Sequence, residues 1–170
     1  MQIERLTAAH AGEYRTLALE GYARHPEAFT STADERAALP LDWWQRRLQP
    51  GDQASEVFFG ARIDDRLVGV AGLSFEQRER NRHKSVLVGM YVAPAARGRG
   101  AAAASVDALL MHARSRPGAR LMVLTVTEGN DAARRLYERH GFVAFGTEPL
   151  SIRVGERYLS KVFMACDLAA

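Results

Sequence analysis

The spacing of apolar residues changes character twice along the chain. Residues 3–6 read as a short strand, and residues 9–22 set Tyr14, Leu17, Ala18 and Gly21 on one helical face. Pro26 ends that helix, and Pro40 is suited to opening another through Trp43, Trp44 and Leu48. Pro50-Gly51-Asp52 signals a turn. The period then becomes that of strands. Residues 57–63 and 67–75 predict two strands joined in a hairpin at Asp64-Asp65, and residues 85–92, rich in Val, Leu, Met and Tyr, predict a third.

Helical character returns in the Ala-rich segment 101–116, which Pro117-Gly118 stops. Residues 121–127 predict an apolar strand of the kind found in a sheet covered on both faces. Asn130 is a candidate N-cap for a helix running to His140, with Gly141 at its C-terminal end. Residues 142–146 read as another strand, and Gly155-Glu156 separates the last two strand candidates. Helices first, then an antiparallel meander, then strand–helix–strand–helix–strand predict an α/β (α+β) fold: a mixed sheet with helices on both faces. No repeat or linker interrupts the 170 residues, so one domain over residues 1–170 is expected.

Composition removes several function classes. The chain is 47% apolar and 25% charged, as in ordinary globular proteins. No apolar run approaches the roughly 18 residues of a bilayer span, and Met1-Gln2-Ile3-Glu4-Arg5-Leu6 has no signal pattern. A cytoplasmic protein without a membrane partner is expected. Cys166, the single cysteine, excludes an internal disulfide and a thiolate cluster; beside Phe163, Met164 and Ala165 it reads as a packed strand residue. Five histidines without ligand spacing predict no metal. A net charge of +3 is too mild to imply a nucleic-acid partner, and Arg78-Glu79-Arg80-Asn81-Arg82-His83-Lys84 reads as a solvated hairpin tip. Glu13, Glu20, Glu27 and Asp34, at seven-residue spacing, read mostly as surface charges and hint only weakly at a cationic acceptor.

The first chemical signal lies between the third strand and the Ala-rich helix. Arg97, Gly98, Arg99, Gly100, Ala101 and Ala102 open a helix with no Ser, Thr, Asp or Asn to use its free N–H groups. Two glycines allow close approach, two alanines keep the space clear, and two arginines add charge: a phosphate-binding arrangement, or equally a tight turn with exposed arginines. Gly98-Arg99-Gly100-Ala101-Ala102-Ala103 also fits the dinucleotide fingerprint, with Glu128 as its ribose-binding acid. A Pro-containing loop before the first Gly, and too little chain after Glu128 for a second parallel unit, weigh against that alternative.

The second signal is Asn130-Asp131-Ala132-Ala133-Arg134-Arg135-Leu136-Tyr137-Glu138-Arg139-His140-Gly141-Phe142, a capped helix with an apolar stripe at Ala133, Leu136 and Tyr137. The pattern N-x-x-A-x-x-L-Y-x-x-x-G-F, about thirty residues after R-x-x-G-x-G/A, closely resembles the GNAT acetyltransferases. The resemblance is strongest over residues 85–142. It is weaker at His25-Pro26-Glu27-Ala28-Phe29, Trp43-Trp44 and Phe145-Gly146-Thr147-Glu148-Pro149, which are similar to a bacterial branch of that family.

The resemblance implies a GNAT fold with a mostly antiparallel sheet, in which strands 85–92 and 121–127 splay apart to hold acetyl-CoA. It implies that the pantetheine arm pairs with backbone at Met90, Tyr91 and Val92, and that the pyrophosphate sits on the N–H groups from Arg97 to Ala102. Asn130 would bond the cofactor arm, Ala133 would leave it room, and Tyr137 would lie near the thioester sulfur. The implied activity is acetyl transfer to an amine of a small molecule or a peptide by direct attack. A strand N–H near Met90 would stabilise the oxyanion, and Tyr137 would serve as general acid to the leaving thiolate. No carboxylate lies within residues 85–92 to act as base; Glu76, on the preceding strand, is the first substitute, ahead of His83, Glu20, Glu148 or water. Ser160-Lys161 stands where the resembling branch implies an acidic residue. Two alternatives stay open, a non-catalytic acyl-CoA sensor and a nucleotide- or nucleic-acid-binding module using the Arg-rich segments, and a homodimer is compatible with each.

Overall fold

The computed structural model describes residues 1–51 and 54–169; Asp52, the last residue of the predicted turn, lies outside them. Seven strands form one sheet in the order β1-β2-β3-β4-β5-β7-β6. They are β1 (Gln2–Arg5), β2 (Glu56–Ile63), β3 (Arg66–Phe75), β4 (Lys84–Val92), β5 (Leu121–Thr127), β6 (Val143–Val154) and β7 (Arg157–Asp167). Every neighbouring pair is antiparallel except β4 and β5. The β2–β3 hairpin closes through Asp64 and Asp65, both with positive φ (49° and 59°), the mirror-image turn that matches strand twist.

Five α-helices cover the sheet: α1 (Ala11–Arg24), α2 (Ala33–Ala37), α3 (Leu41–Arg47), α4 (Ala101–Arg114) and α5 (Asp131–Arg139). Two apolar clusters result, one on each face. Leu6, Tyr14, Leu17, Trp44, Phe58, Val70 and Tyr91 pack beneath α1 and α3. Val106, Leu109 and Leu110 of α4 meet Leu73, Leu87, Met122, Leu124 and Met164 on the other face, joined by Tyr137 from α5. Val57 and Phe58, adjacent in sequence, belong to different clusters, as strand alternation requires.

The structure departs from the sequence expectations in two places. Helix α2 was not anticipated, although its start is a capping box: Thr32 Oγ1 accepts from the Glu35 amide at 3.1 Å, and Glu35 Oε2 accepts from the Thr32 amide at 2.8 Å. Residues 142–146 and the following strand candidate are one long edge strand, β6. Its register against β7 shifts between Ala144 and Gly146 and again between Glu148 and Ile152, so Pro149 and the positive-φ Leu150 are absorbed as irregularities rather than ends.

Candidate active site

Strands β4 and β5 pair only at Lys84–Leu121, Ser85–Met122 and Val86–Val123. Beyond that they diverge, each remaining bonded on its far side, β4 to β3 and β5 to β7. The sheet therefore opens at its centre, with the inner backbone edges of residues 87–92 and 124–127 turned toward a gap. A bulge shapes one wall. Val88 opposes Gly72 and Tyr91 opposes Val70, so Gly89 and Met90 together face Ala71, and Gly89 takes φ +63°.

A cavity of about 1020 Å³ occupies the gap's outer mouth. Met90, Tyr91 and Val92 of β4 line it, as do Arg97, Gly98 and Ala102 of the loop into α4 and Asn130, Ala133, Leu136 and Tyr137 around α5. Helix α4 starts at Gly100 (φ +81°) with no side-chain cap, so its first N–H groups are available to a ligand. A Cβ built on Gly98 or Gly100 meets no atom within 4 Å, so there is space beside this backbone. Arg97 Nη2 lies 2.9 Å from His25 Nε2, and His25 Nδ1 lies 3.2 Å from Glu27 Oε1, which ties the loop to the segment after α1. Asn130 Oδ1 accepts from the Ala133 amide at 3.3 Å, leaving the amide nitrogen of Asn130 as its donor group.

A second cavity of about 440 Å³ adjoins the first. Ala28, Phe29, Met90, Thr127, Asn130, Ala133 and Tyr137 line both, so they form the partition between them. The rest of the second cavity's wall includes Thr30 and Ser31, Arg36 and Arg47 of α2 and α3, the inner ends of β4 and β5, and Glu56, Ser74 and Lys161 of β2, β3 and β7. Thr127 Oγ1 donates to the Glu27 carbonyl at 2.6 Å and so fastens residues 25–31 over the end of β5. Tyr137 is 6% exposed and packs edge-on against Phe142. Burial pushes its phenol up to about 12, which keeps the proton on at neutral pH.

The model of the acetyltransferase (GNAT) family matches residues 15–142. The chain belongs to this family. The GNAT chain also has whole-length likenesses among solved structures: smu.2055 from Streptococcus mutans UA159 (18% identity, 99% of each chain, TM-score 0.83) and the GNAT-family acetyltransferase from Streptococcus pneumoniae (19%, 98% of each, 0.80). A third, yncA from Salmonella typhimurium, solved with its cofactor acetyl-CoA, shares 21% identity over 99% of this chain and 94% of that one, at a TM-score of 0.78. The protein is an acetyl-CoA-dependent acetyltransferase.

Within this GNAT chain the predicted ligand-facing residues do not all fall together. Met90, Tyr91, Val92, Arg97, Gly98, Ala102, Asn130, Ala133 and Tyr137 line the first cavity. Arg99 and Gly100 are exposed outside its lining, and Ala101 is buried beneath the helix start. Glu76 lies apart from both cavities. Strand β3 ends at Phe75, and the chain turns away there into the exposed basic tip, which leaves Glu76 in solvent with its amide bonded to the Lys84 carbonyl. Trp44 is fully buried core; Trp43 packs against Arg36 and Arg47 without lining the second cavity. Cys166 is buried in β7, where burial raises its thiol, the opposite of what a nucleophile needs.

Several lining residues carried no sequence signal, and Lys161 stood out only as a departure from the branch pattern. Thr127, Glu56, Arg36 and Lys161 reach the site from four elements, and their partners are distant in the chain: Thr127 bonds Glu27, and Lys161 bonds Thr30. Three of the four regularly spaced acids already have partners, Glu27 among them at the edge of the first cavity. Glu13 binds Arg62, Glu20 binds Arg24 and the Tyr91 hydroxyl, and Glu27 binds His25.

Proposed function

We propose that this acetyltransferase moves the acetyl group of acetyl-CoA to a primary amine by direct attack within a ternary complex. The observation that carries the proposal is Tyr137, a buried, protonated phenol in the partition between the two cavities. The first cavity suits the cosubstrate. The edge of β4 that faces the gap at Met90, Tyr91 and Val92 can pair with the pantetheine amides as an added strand would. The uncapped start of α4, with Arg97 beside it, can hold the pyrophosphate. The Asn130 amide can donate to the arm, and Ala133 is small enough to let it pass.

The thioester would then lie at the partition, and the amine would arrive from the second cavity. Attack forms the C–N bond and turns the carbonyl oxygen into an oxyanion, which a backbone N–H near Met90 can stabilise. Collapse breaks the C–S bond, and Tyr137 gives its proton to the thiolate. With Glu76 outside both cavities, the amine proton leaves through water.

Two measurements test this proposal. Acetyl-CoA at a hundred times its dissociation constant should stabilise the protein by about 2.7 kcal/mol, with NAD giving little. A panel of amines with acetyl-CoA should release thiol. If acetyl-CoA binds and no amine releases thiol, the protein is a sensor; if NAD stabilises more than acetyl-CoA, the cavity assignment is wrong.

A further inference from the structure

The second cavity collects charge of one sign. Arg36, Arg47 and Lys161 line it against a single lining carboxylate among the described residues, Glu56. That carboxylate is already engaged: Arg47 binds it through Nε at 2.7 Å and Nη2 at 2.8 Å. Neither of the other two cations has such a partner. Lys161 is 8% exposed, and its Nζ donates to the neutral hydroxyl of Thr30 at 3.0 Å. Glu148, its cross-strand neighbour, acts on it only at a distance and accepts its own hydrogen bond from Ser151. Burial holds the Lys161 ammonium below its ordinary pKa. The Arg36 guanidinium lies over the rings of Trp43 (4.8 Å) and Tyr22 (5.8 Å), and its Nε is buried without a hydrogen-bond partner.

Desolvated cations without an anion are costly, and a bound anion relieves that cost. The same charges oppose a purely cationic acceptor such as a polyamine, for which no unengaged carboxylate lines the cavity. We infer that the acceptor is an amine that also bears a carboxylate, as an amino acid does, and that Lys161 and Arg36 hold this carboxylate in the second cavity. The inference rests on the acetyltransferase reading above and narrows its acceptor. It also eases the proton problem at that site. Two cations set against one carboxylate leave positive charge near the acceptor nitrogen, which favours the neutral amine that direct attack needs.

Two probes differ by this one group. N-Acetylglycine is the simplest product of an α-amino acid acceptor, and N-methylacetamide is its decarboxylated counterpart. Calorimetric titration into the CoA-loaded protein should give N-acetylglycine an affinity at least tenfold higher. Lys161→Met should cut that advantage to threefold or less, with CoA affinity unchanged and no fall in melting temperature, and Arg36→Met should reduce it in the same direction. Equal affinity of the two probes, no measurable binding of N-acetylglycine, or an advantage that survives both substitutions would each overturn the inference. The wild-type comparison needs no variant to fold. Thiol release tests the underlying reading separately: acetylation of decarboxylated amines without any preference for carboxylates leaves the transferase standing and removes the inference. Thiol release from no amine at all removes the transferase.

Discussion

Leu87 and Tyr91 lie four positions apart on β4, yet they pack on opposite faces of the sheet, Leu87 in the cluster beneath α4 and Tyr91 beneath α1. A regular strand would put them on the same face. The bulge at Gly89 and Met90 inserts the extra residue that reverses the alternation. Tyr91 is thereby sent toward Gly21 of α1, and Met90 toward the partition between the cavities.

The bulge depends on Gly89. At φ +63°, a side chain there costs about 1–2 kcal/mol, and its Cβ would come within 3.3 Å of the Phe58 ring. Gly89→Ala should lose that much stability in urea denaturation and weaken acetyl-CoA binding, because the wall carrying Met90 shifts. A variant as stable as the parent would mean that the strand adopts another register without strain.

Gly100 separates backbone strain from ligand repulsion. It starts α4 in the left-handed region with open space around its Cβ position. Gly100→Ala should cost about 1 kcal/mol of stability and leave CoA affinity within a few-fold. Gly100→Glu should show the same stability loss and bind CoA at least tenfold more weakly, about 1.4 kcal/mol. CoA titration of both variants decides the matter; equal affinities would locate the phosphates elsewhere.

Tyr137→Phe removes one oxygen and keeps the ring that packs on Phe142. Folding and CoA affinity should change little. Turnover should fall about a hundredfold or more, within the range for a lost general acid. Near-normal kcat would make Tyr137 a core residue and assign protonation of the thiolate to water.

The pH profile follows from the same residue. Burial raises the Tyr137 phenol to about 12, so it stays protonated throughout the range in which ordinary amines lose their proton. With Tyr137 as acid, kcat should rise with pH as the amine becomes neutral and then hold level to at least about pH 10.5. Thiol release, corrected for spontaneous thioester hydrolysis, measures this. A decline near pH 9 would point to a different acid.

Glu56→Gln tests the pair behind the second cavity. Arg47 is wedged over Trp43 and Phe58 and also donates to the Tyr14 hydroxyl at 3.2 Å. Burial opposes its charge, and the Glu56 bonds overcome that opposition. Loss of the carboxylate should cost about 1.5–3 kcal/mol in denaturation, as for other hydrogen bonds to a charged group, with CoA affinity retained. A neutral effect on stability would show that solvent already screens the pair.

Most elements and much of the lining of the first cavity were legible in the amino-acid sequence. Their causes are local: apolar periodicity along α1 and α4, the uncapped glycine start of α4, the Asn130 cap three residues from its acceptor amide, and the Asp64-Asp65 turn. The acceptor side was not legible. Lys161 meets Thr30 across 131 positions, Thr127 meets Glu27 across 100, and Arg36 arrives on a five-residue helix. Glu76 lies outside both cavities for a related reason: its chemistry is visible in the sequence, but whether β3 carries it to the gap depends on where pairing with β4 stops. Sequence by itself determined the elements and the uncapped glycine start of α4, because each rests on bonds between residues a few positions apart. Tertiary structure alone decided the bulge that turns Met90 and Tyr91 and the charges that wall the second cavity, because strand register and contact between remote segments are set by the whole packed sheet.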